Sequence, residues 1–305
     1  MSAPHRDPRA PRPADVAKAA DAAARAEPVV EVNGLNYTYP GGVEALRDIH
    51  FRIHAGSRVG VLGPNGAGKS TLLLHLSGIL PAAPHASKPR PPGAGASVRI
   101  AGLPLEARTL PRIRQQVGMV FQNPDDQLFC PTVFDDIAFG PRNMGLPEAE
   151  VQRRVQESLA QVGLLDRPPV PPAPPDASAA PTHPAASLPA PKALLAPAQA
   201  LLARNPMKLS VGQKKRVALA TVLSMQPALI ALDEPTSNLD PRGRADIARL
   251  LASLACTQIV VTHDLDLVRD LCDDVLLMSR GRIVLQGSAR EVLADTAALR
   301  AAELL

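Results

Sequence analysis

The chain has 305 residues, room for one large domain or two small ones, and 46% of them are hydrophobic, enough for a sizeable core. Aromatic residues are only 2%, so that core must be built from Ala, Val, Leu and Ile. The 33 Lys and Arg against 29 Asp and Glu leave a net charge of +4, too weak a bias to argue for nucleic acid. No apolar run is long enough to span a bilayer. Cys130, Cys256 and Cys272 are scattered without metal-ligand spacing, which fits a reduced cytosolic setting. Arg6, Arg9 and Arg12 are followed by no apolar stretch, so no secretory signal is expected.

Residues 1–28, rich in Ala, Pro and Arg, read as a disordered tail with at most a frayed helix near 16–24. Strands are expected over 29–32 and 49–53, with Tyr37 and Tyr39 leading into a Pro-Gly-Gly turn between them. A short buried strand at 59–62 then runs into Gly63, Pro64, Asn65, Gly66, Ala67, Gly68, Lys69, Ser70 and Thr71. These residues match the phosphate-loop pattern G-x-x-x-x-G-K-[ST] at every fixed position, and residues 71–76, mostly leucine, continue as a helix. The glycines let amide N–H groups point inward around a phosphate, and the helix adds its positive dipole end. Lys69 is placed to reach the β- and γ-phosphates of a nucleotide, and the Ser70 hydroxyl to bind Mg²⁺.

A Pro-rich stretch over 81–95 follows, then strands at 97–100 and 117–121, the latter ending at Gln122. Helical spacing marks 133–139 and 147–162. Residues 167–204 form a second insert dominated by Pro and Ala, whose prolines forbid a continuous element, so a surface linker is expected. Order resumes near Met207, with helices over 212–223 and 245–254, strands over 228–232 and 258–261, and a closing hairpin around Gly281. Strands alternating with helices indicate an α/β sheet.

The strand at 229–232 ends in Asp233 and Glu234. Asp233 suits the Mg²⁺ shell of a phosphate-loop enzyme, and Glu234 can polarise a water for in-line attack on the γ-phosphate. Leu209, Ser210, Val211, Gly212 and Gln213 offer a second anion site at a helix start, although Ser-x-Gly is also an ordinary cap. Lys214, Lys215 and Arg216 read as a solvated helix face.

Together these motifs resemble the ABC-type ATPase family over about 29–293. The phosphate loop, Gln122, the signature at 209–213, Asp233 with Glu234, the run Ser237, Asn238, Leu239, Asp240, and His263 stand in the family's order. The resemblance implies a P-loop α/β fold of the ABC type, with an antiparallel β subdomain and a helical subdomain. One ATPase domain would span 29–295, with a short end over 296–305. It implies that Tyr39 stacks on adenine, that Gln122 senses the metal and γ-phosphate, and that His263 contacts the γ-phosphate. Ser210, Gly212, Gln213 and Asp240 join the nucleotide-binding set, and ATP and Mg²⁺ are the implied cofactors. One departure stands out: Val211 replaces a glycine of the family signature, which crowds the approach to a phosphate.

The segments at 121–129, 133–141 and 213–218 are similar to the energy-coupling factor branch, closest to its cobalt and nickel members. Many members carry a longer C-terminal region, whereas this sequence stops at Leu305. The resemblance implies an ATP-hydrolysing subunit that pairs with a second copy or a relative. It would work on integral membrane subunits from the cytoplasmic face, with no direct nucleic-acid binding. Two other readings stay open at this point. One is a soluble ABC-type ATPase acting on ribosomes or DNA. The other is a regulatory ATP-binding module.

Overall fold

The structure, a computed structural model, describes residues 27–80, 97–165 and 200–305. Most of the N-terminal tail, the insert at 81–95 and most of the insert at 167–204 lie outside the described residues. In chain order the elements are β1 (Val30–Thr38), β2 (Glu44–Ile53), β3 (Arg58–Leu62), α1 (Lys69–Leu76), β4 (Ser97–Ile100), β5 (Leu103–Pro104), α2 (Leu110–Gln116) and β6 (Val117–Val120). There follow α3 (Val133–Asn143), α4 (Glu148–Gln161), α5 (Val211–Leu223), β7 (Leu229–Asp233), α6 (Pro241–Ser253), β8 (Thr257–Val261), α7 (Leu265–Leu271), β9 (Asp274–Ser279), β10 (Arg282–Ser288), α8 (Ala289–Ala294) and α9 (Thr296–Ala301).

These elements form two compact units, one built from residues up to Val117 with 228–231 and 255–305, the other from 118–227 and 232–254. The first unit holds an antiparallel sheet of order β2-β1-β4-β5. β1 is longer than expected and includes Tyr37, which is 5% exposed and faces β2 opposite Leu46. A bulge near Gly34 breaks the strict alternation, which is why the sequence pattern stops at residue 32. The same unit holds a mainly parallel sheet in which β3 lies between β8 and β9. All of β8 is buried, as are Val59, Val61 and Leu62 of β3, the continuous apolar signature of a strand covered on both faces. β9 and β10 close it as the antiparallel hairpin expected around Gly281. At the C-terminal end Leu299 of α9 is 1% exposed, so residues 296–301 pack rather than trail.

The second unit is mainly helical. Val151, Val155 and Leu159 of α4, Ile137 of α3 and Val217 of α5 are fully buried, giving the three helices one shared core. The expected helical stripe on 147–162 is therefore the inward face of α4. Here the ordered chain resumes earlier than Met207. Residues 200–202 are helical, and the Arg204 carbonyl accepts a hydrogen bond from the Val133 amide at 2.9 Å. The last residues of the second Pro-rich insert thus belong to the folded unit. β7 passes from the first unit into the second between Ala231 and Leu232. Among the described residues no helix is long and apolar enough to cross a membrane.

Candidate nucleotide site

In the first unit the phosphate loop follows β3 and opens α1. Gly63 has φ +152°, and a Cβ there would lie 2.3 Å from the Met278 carbonyl oxygen. Gly68 has φ +99°, and a Cβ there would lie 2.5 Å from the Ala45 carbonyl oxygen. Only glycine fits either position, so the loop can wrap closely with its amides turned inward. Gly281 of the β9–β10 turn donates its amide to the Ala67 carbonyl at 3.0 Å, bracing the loop from the hairpin. Gly68 caps α1 with no side-chain hydrogen bond, so the helix opens at the loop with its positive dipole end. The Lys69 ammonium donates to the carbonyls of Gly63 at 2.7 Å and Pro64 at 2.9 Å, which holds it across the loop. Pro64, Asn65 and Gly66 form the outer rim, Ser70 is exposed on the first turn, and Thr71 is buried.

Tyr39 stands beside this loop. Its hydroxyl shares a hydrogen bond with Thr71 Oγ1 at 3.1 Å, and its ring meets Tyr37 edge-on at 4.9 Å. His263 is exposed directly after β8, at the same carboxyl edge of the parallel strands as the loop after β3. Ligands of open α/β sheets bind at that edge.

The second unit carries the remaining candidates. Asp233 ends β7 half-buried, and Glu234 follows with φ +44°, a left-handed backbone that is unusual for a glutamate. Gln122 is exposed just beyond β6. Ser210 and Gln213 form a reciprocal capping box on α5, Gln213 N donating to Ser210 Oγ at 3.3 Å and Ser210 N to Gln213 Oε1 at 3.2 Å. The expected cap is therefore present, and it fixes the helix start without occupying the amides of Val211 and Gly212. Val211 is the first residue of α5 and 46% exposed, so valine meets no backbone obstacle within this copy. Asp240 caps α6, its Oδ1 accepting from Gly243 N at 2.8 Å.

The basic run after the signature corrects the sequence reading. Lys214 pairs with Asp125 at 2.7 Å, and Arg216 donates to the Val162 carbonyl at 2.5 Å. Lys215 is only 6% exposed. Burial pushes its ammonium down to about 8, a shift opposed by the charge of Glu234. Its phase with Leu219 and Val222, four and seven residues on, was the signal that it faces inward. Gln127 also went unassigned. Its amide nitrogen donates to the Ala218 carbonyl and to Thr221 Oγ1, both at 2.8 Å, and its Oε1 accepts from Phe121 N. The segment after β6 is thereby moored to α5.

Ser70, Gln122 and Asp233 offer neutral or carboxylate oxygens. Among the described residues no group of three or more His, Cys, Asp or Glu forms a metal cage. Oxygen donors of these kinds, Ser70 in the first unit and Gln122 and Asp233 in the second, suit Mg²⁺, which keeps water and phosphate oxygens and needs only one or two protein ligands.

Comparison with known proteins identifies the family. A sequence model of the family described as ABC transporter matches residues 46–237. A protein of Geobacter sulfurreducens, named as an ABC transporter ATP-binding protein with no substrate given, is 45% identical over 88% of this chain and 89% of its own. The energy-coupling factor transporter ATP-binding protein EcfA of Methanocaldococcus jannaschii is 41% identical over 90% of this chain and 85% of its own. Among solved structures, cbiO1 of Clostridium perfringens, part of the ABC transporter complex cbiONQ, superposes with a TM-score of 0.67 at 35% identity. That alignment covers 91% of this chain and 95% of the other. The chain belongs to the ABC transporter family, as an ATPase of the energy-coupling factor type.

Proposed function

We propose that this ATPase drives uptake of cobalt or nickel ions through integral membrane subunits. It would act at the cytoplasmic face of the cell membrane, paired with a second copy or a relative. The observation that carries the reading is the likeness to cbiO1 across nearly the whole of both chains. The segments at 121–129 and 133–141 add to it, being similar to the cobalt and nickel members of the branch. Residues 29–295 are treated in this reading as one ATPase domain.

The chemistry then follows from the residues. The loop amides and Lys69 bind the β- and γ-phosphates, and Tyr39 stacks on adenine. Ser70, Gln122 and Asp233 would hold Mg²⁺, which when bound neutralises phosphate charge during transfer. Glu234 orients and polarises the attacking water, and His263 contacts the γ-phosphate. Ser210, Gly212 and Gln213 present the start of α5 to the ATP held by the partner copy, so the active form has two-fold or pseudo-two-fold symmetry. ATP favours the closed pair and hydrolysis the open one, and the moored segment after Gln122 passes that difference to the membrane subunits.

The test is reconstitution of the purified chain with a metal-type membrane component in vesicles. ATP-dependent accumulation of radiolabelled Co²⁺ or Ni²⁺ is expected. Active ATP turnover with uptake of neither ion would overturn the assignment of the solute and leave the ATPase assignment in place.

A further inference from the structure

We infer that Lys215 is a positioning residue for ATP hydrolysis, its buried ammonium holding Gln122 and the Glu234–Ser237 turn in one register with the start of α5. The inference rests on the roles proposed above for Gln122 and Glu234.

The ammonium reaches three oxygens on two separate stretches of chain: the Gln122 carbonyl at 3.3 Å just after β6, and, in the turn after β7, the Glu234 carbonyl at 3.4 Å and Ser237 Oγ at 3.3 Å. An ammonium has three N–H donors and no acceptor, so its inventory matches this set. Each distance is longer than the roughly 2.7–2.9 Å of a strong charge-assisted bond, so each contact is individually weak. No single contact is short, and the charge is shared between the two segments. Lys214 and Arg216, its neighbours, each meet a different partner outside this set.

The turn that Lys215 holds is strained. Glu234 has φ +44° and Asn238 φ +59°, both in the left-handed region that side chains other than glycine adopt at a cost. The Glu234 carbonyl accepts from Lys215 and also from the Ser237 amide at 3.1 Å. The orientation of the Glu234 side chain is therefore set by a turn that the ammonium helps to close. Through the same charge, Gln122 is tied to the helix whose N-terminus carries Ser210.

A packing role would look different. Lys215 lines one small cavity with Phe121, Pro124, Leu219 and Leu232, and in such apolar surroundings methionine is the closest uncharged match to its stem. Only the ammonium makes the three polar contacts.

The experiment compares full-length wild type with Lys215→Met, Lys215→Arg and Glu234→Gln, measuring kcat, KM for ATP, ATP affinity of the single copy and Tm. Lys215→Met should lower kcat about 10- to 100-fold, the cost of a misplaced reacting group. KM and single-copy affinity should change by less than about threefold, because the phosphate loop is untouched. Lys215→Arg should recover part of kcat at a Tm similar to that of the methionine variant. A Lys215→Met kcat within twofold of wild type, or a kcat loss that only tracks the unfolded fraction, overturns the inference. If Lys215→Met does not fold, Ser237→Ala takes its place, and an unchanged kcat there overturns it. A kcat loss in Lys215→Met beside normal turnover in Glu234→Gln overturns the role of Glu234 and with it the inference that Lys215 acts through that turn. The opposite pattern overturns Lys215 alone.

Discussion

Replacing Gly68 by alanine should damage the phosphate loop far more than replacing Gly66, although both glycines have positive φ. Gly68 has φ +99°, and Gly66 has φ +79°. A left-handed backbone costs an alanine about 1–2 kcal/mol at either site. The surroundings differ. A Cβ at Gly66 meets nothing within 4 Å, whereas a Cβ at Gly68 would lie 2.5 Å from the Ala45 carbonyl oxygen and 3.1 Å from Leu46 Cδ2. The carbonyl is backbone and cannot swing aside, so the clash adds about 1–3 kcal/mol of the kind measured for overpacked cores. Gly68→Ala should therefore cost about 2–5 kcal/mol against about 1–2 for Gly66→Ala. At roughly 2–4 °C per kcal/mol for a chain of this size, Tm falls by about 4–20 °C in the first case and about 2–8 °C in the second. Gly68 also sets the direction of the Lys69 and Ser70 amides, so ATP affinity should drop about tenfold or more in that variant. Differential scanning calorimetry and a nucleotide titration read both quantities. Equal losses of Tm in the two variants would refute the steric part of this reasoning.

Lys69→Ala removes the charge held across the loop, and loss of even one charge-assisted bond of about 1.5–3 kcal/mol should weaken ATP binding at least tenfold in the same titration. Glu234→Gln keeps the shape of the side chain and removes the base. Turnover should fall roughly 10²-fold while ATP-bound pairs accumulate by light scattering, and near-normal turnover would exclude Glu234 as the catalytic carboxylate. Val211→Gly, tested in the Glu234→Gln background, should favour ATP-dependent pairing by about one hydrogen bond, roughly 0.5–1.5 kcal/mol, with single-copy ATP binding unchanged. Unimproved pairing would mean that the valine is accommodated at no cost. Replacing residues 167–199 by a brief Gly/Ser linker should leave Tm and turnover nearly intact, because loop length costs little. Extending that deletion through Arg204 should lower Tm, because the Arg204 carbonyl holds the start of α3.

The sequence alone determined the chemistry at the phosphate loop. Gly63 and Gly68 need positive φ and Lys69 bonds back to its own loop, so their spacing is visible in a short window of sequence, although the Met278 and Ala45 carbonyls that also exclude a side chain there are not. The buried strands β3, β7 and β8 were legible for a similar reason, since apolar runs bounded by turns have few other uses. Only the tertiary structure decided the length of β1, because pairing with β2 carries the strand past a bulge that its own pattern cannot bridge. It also decided the fate of the basic run. Lys214, Lys215 and Arg216 look alike in sequence, yet one pairs with a carboxylate, one binds a helix-end carbonyl and one is buried between two loops. Those partners lie between 54 and 93 residues away for Arg216 and for the Gln122 contact of Lys215, beyond the reach of any local pattern. The left-handed backbone of Glu234 belongs to the same class. A strand ending in two carboxylates announces a metal or a base, but the turn that aims the second one is closed by a charge supplied from another helix.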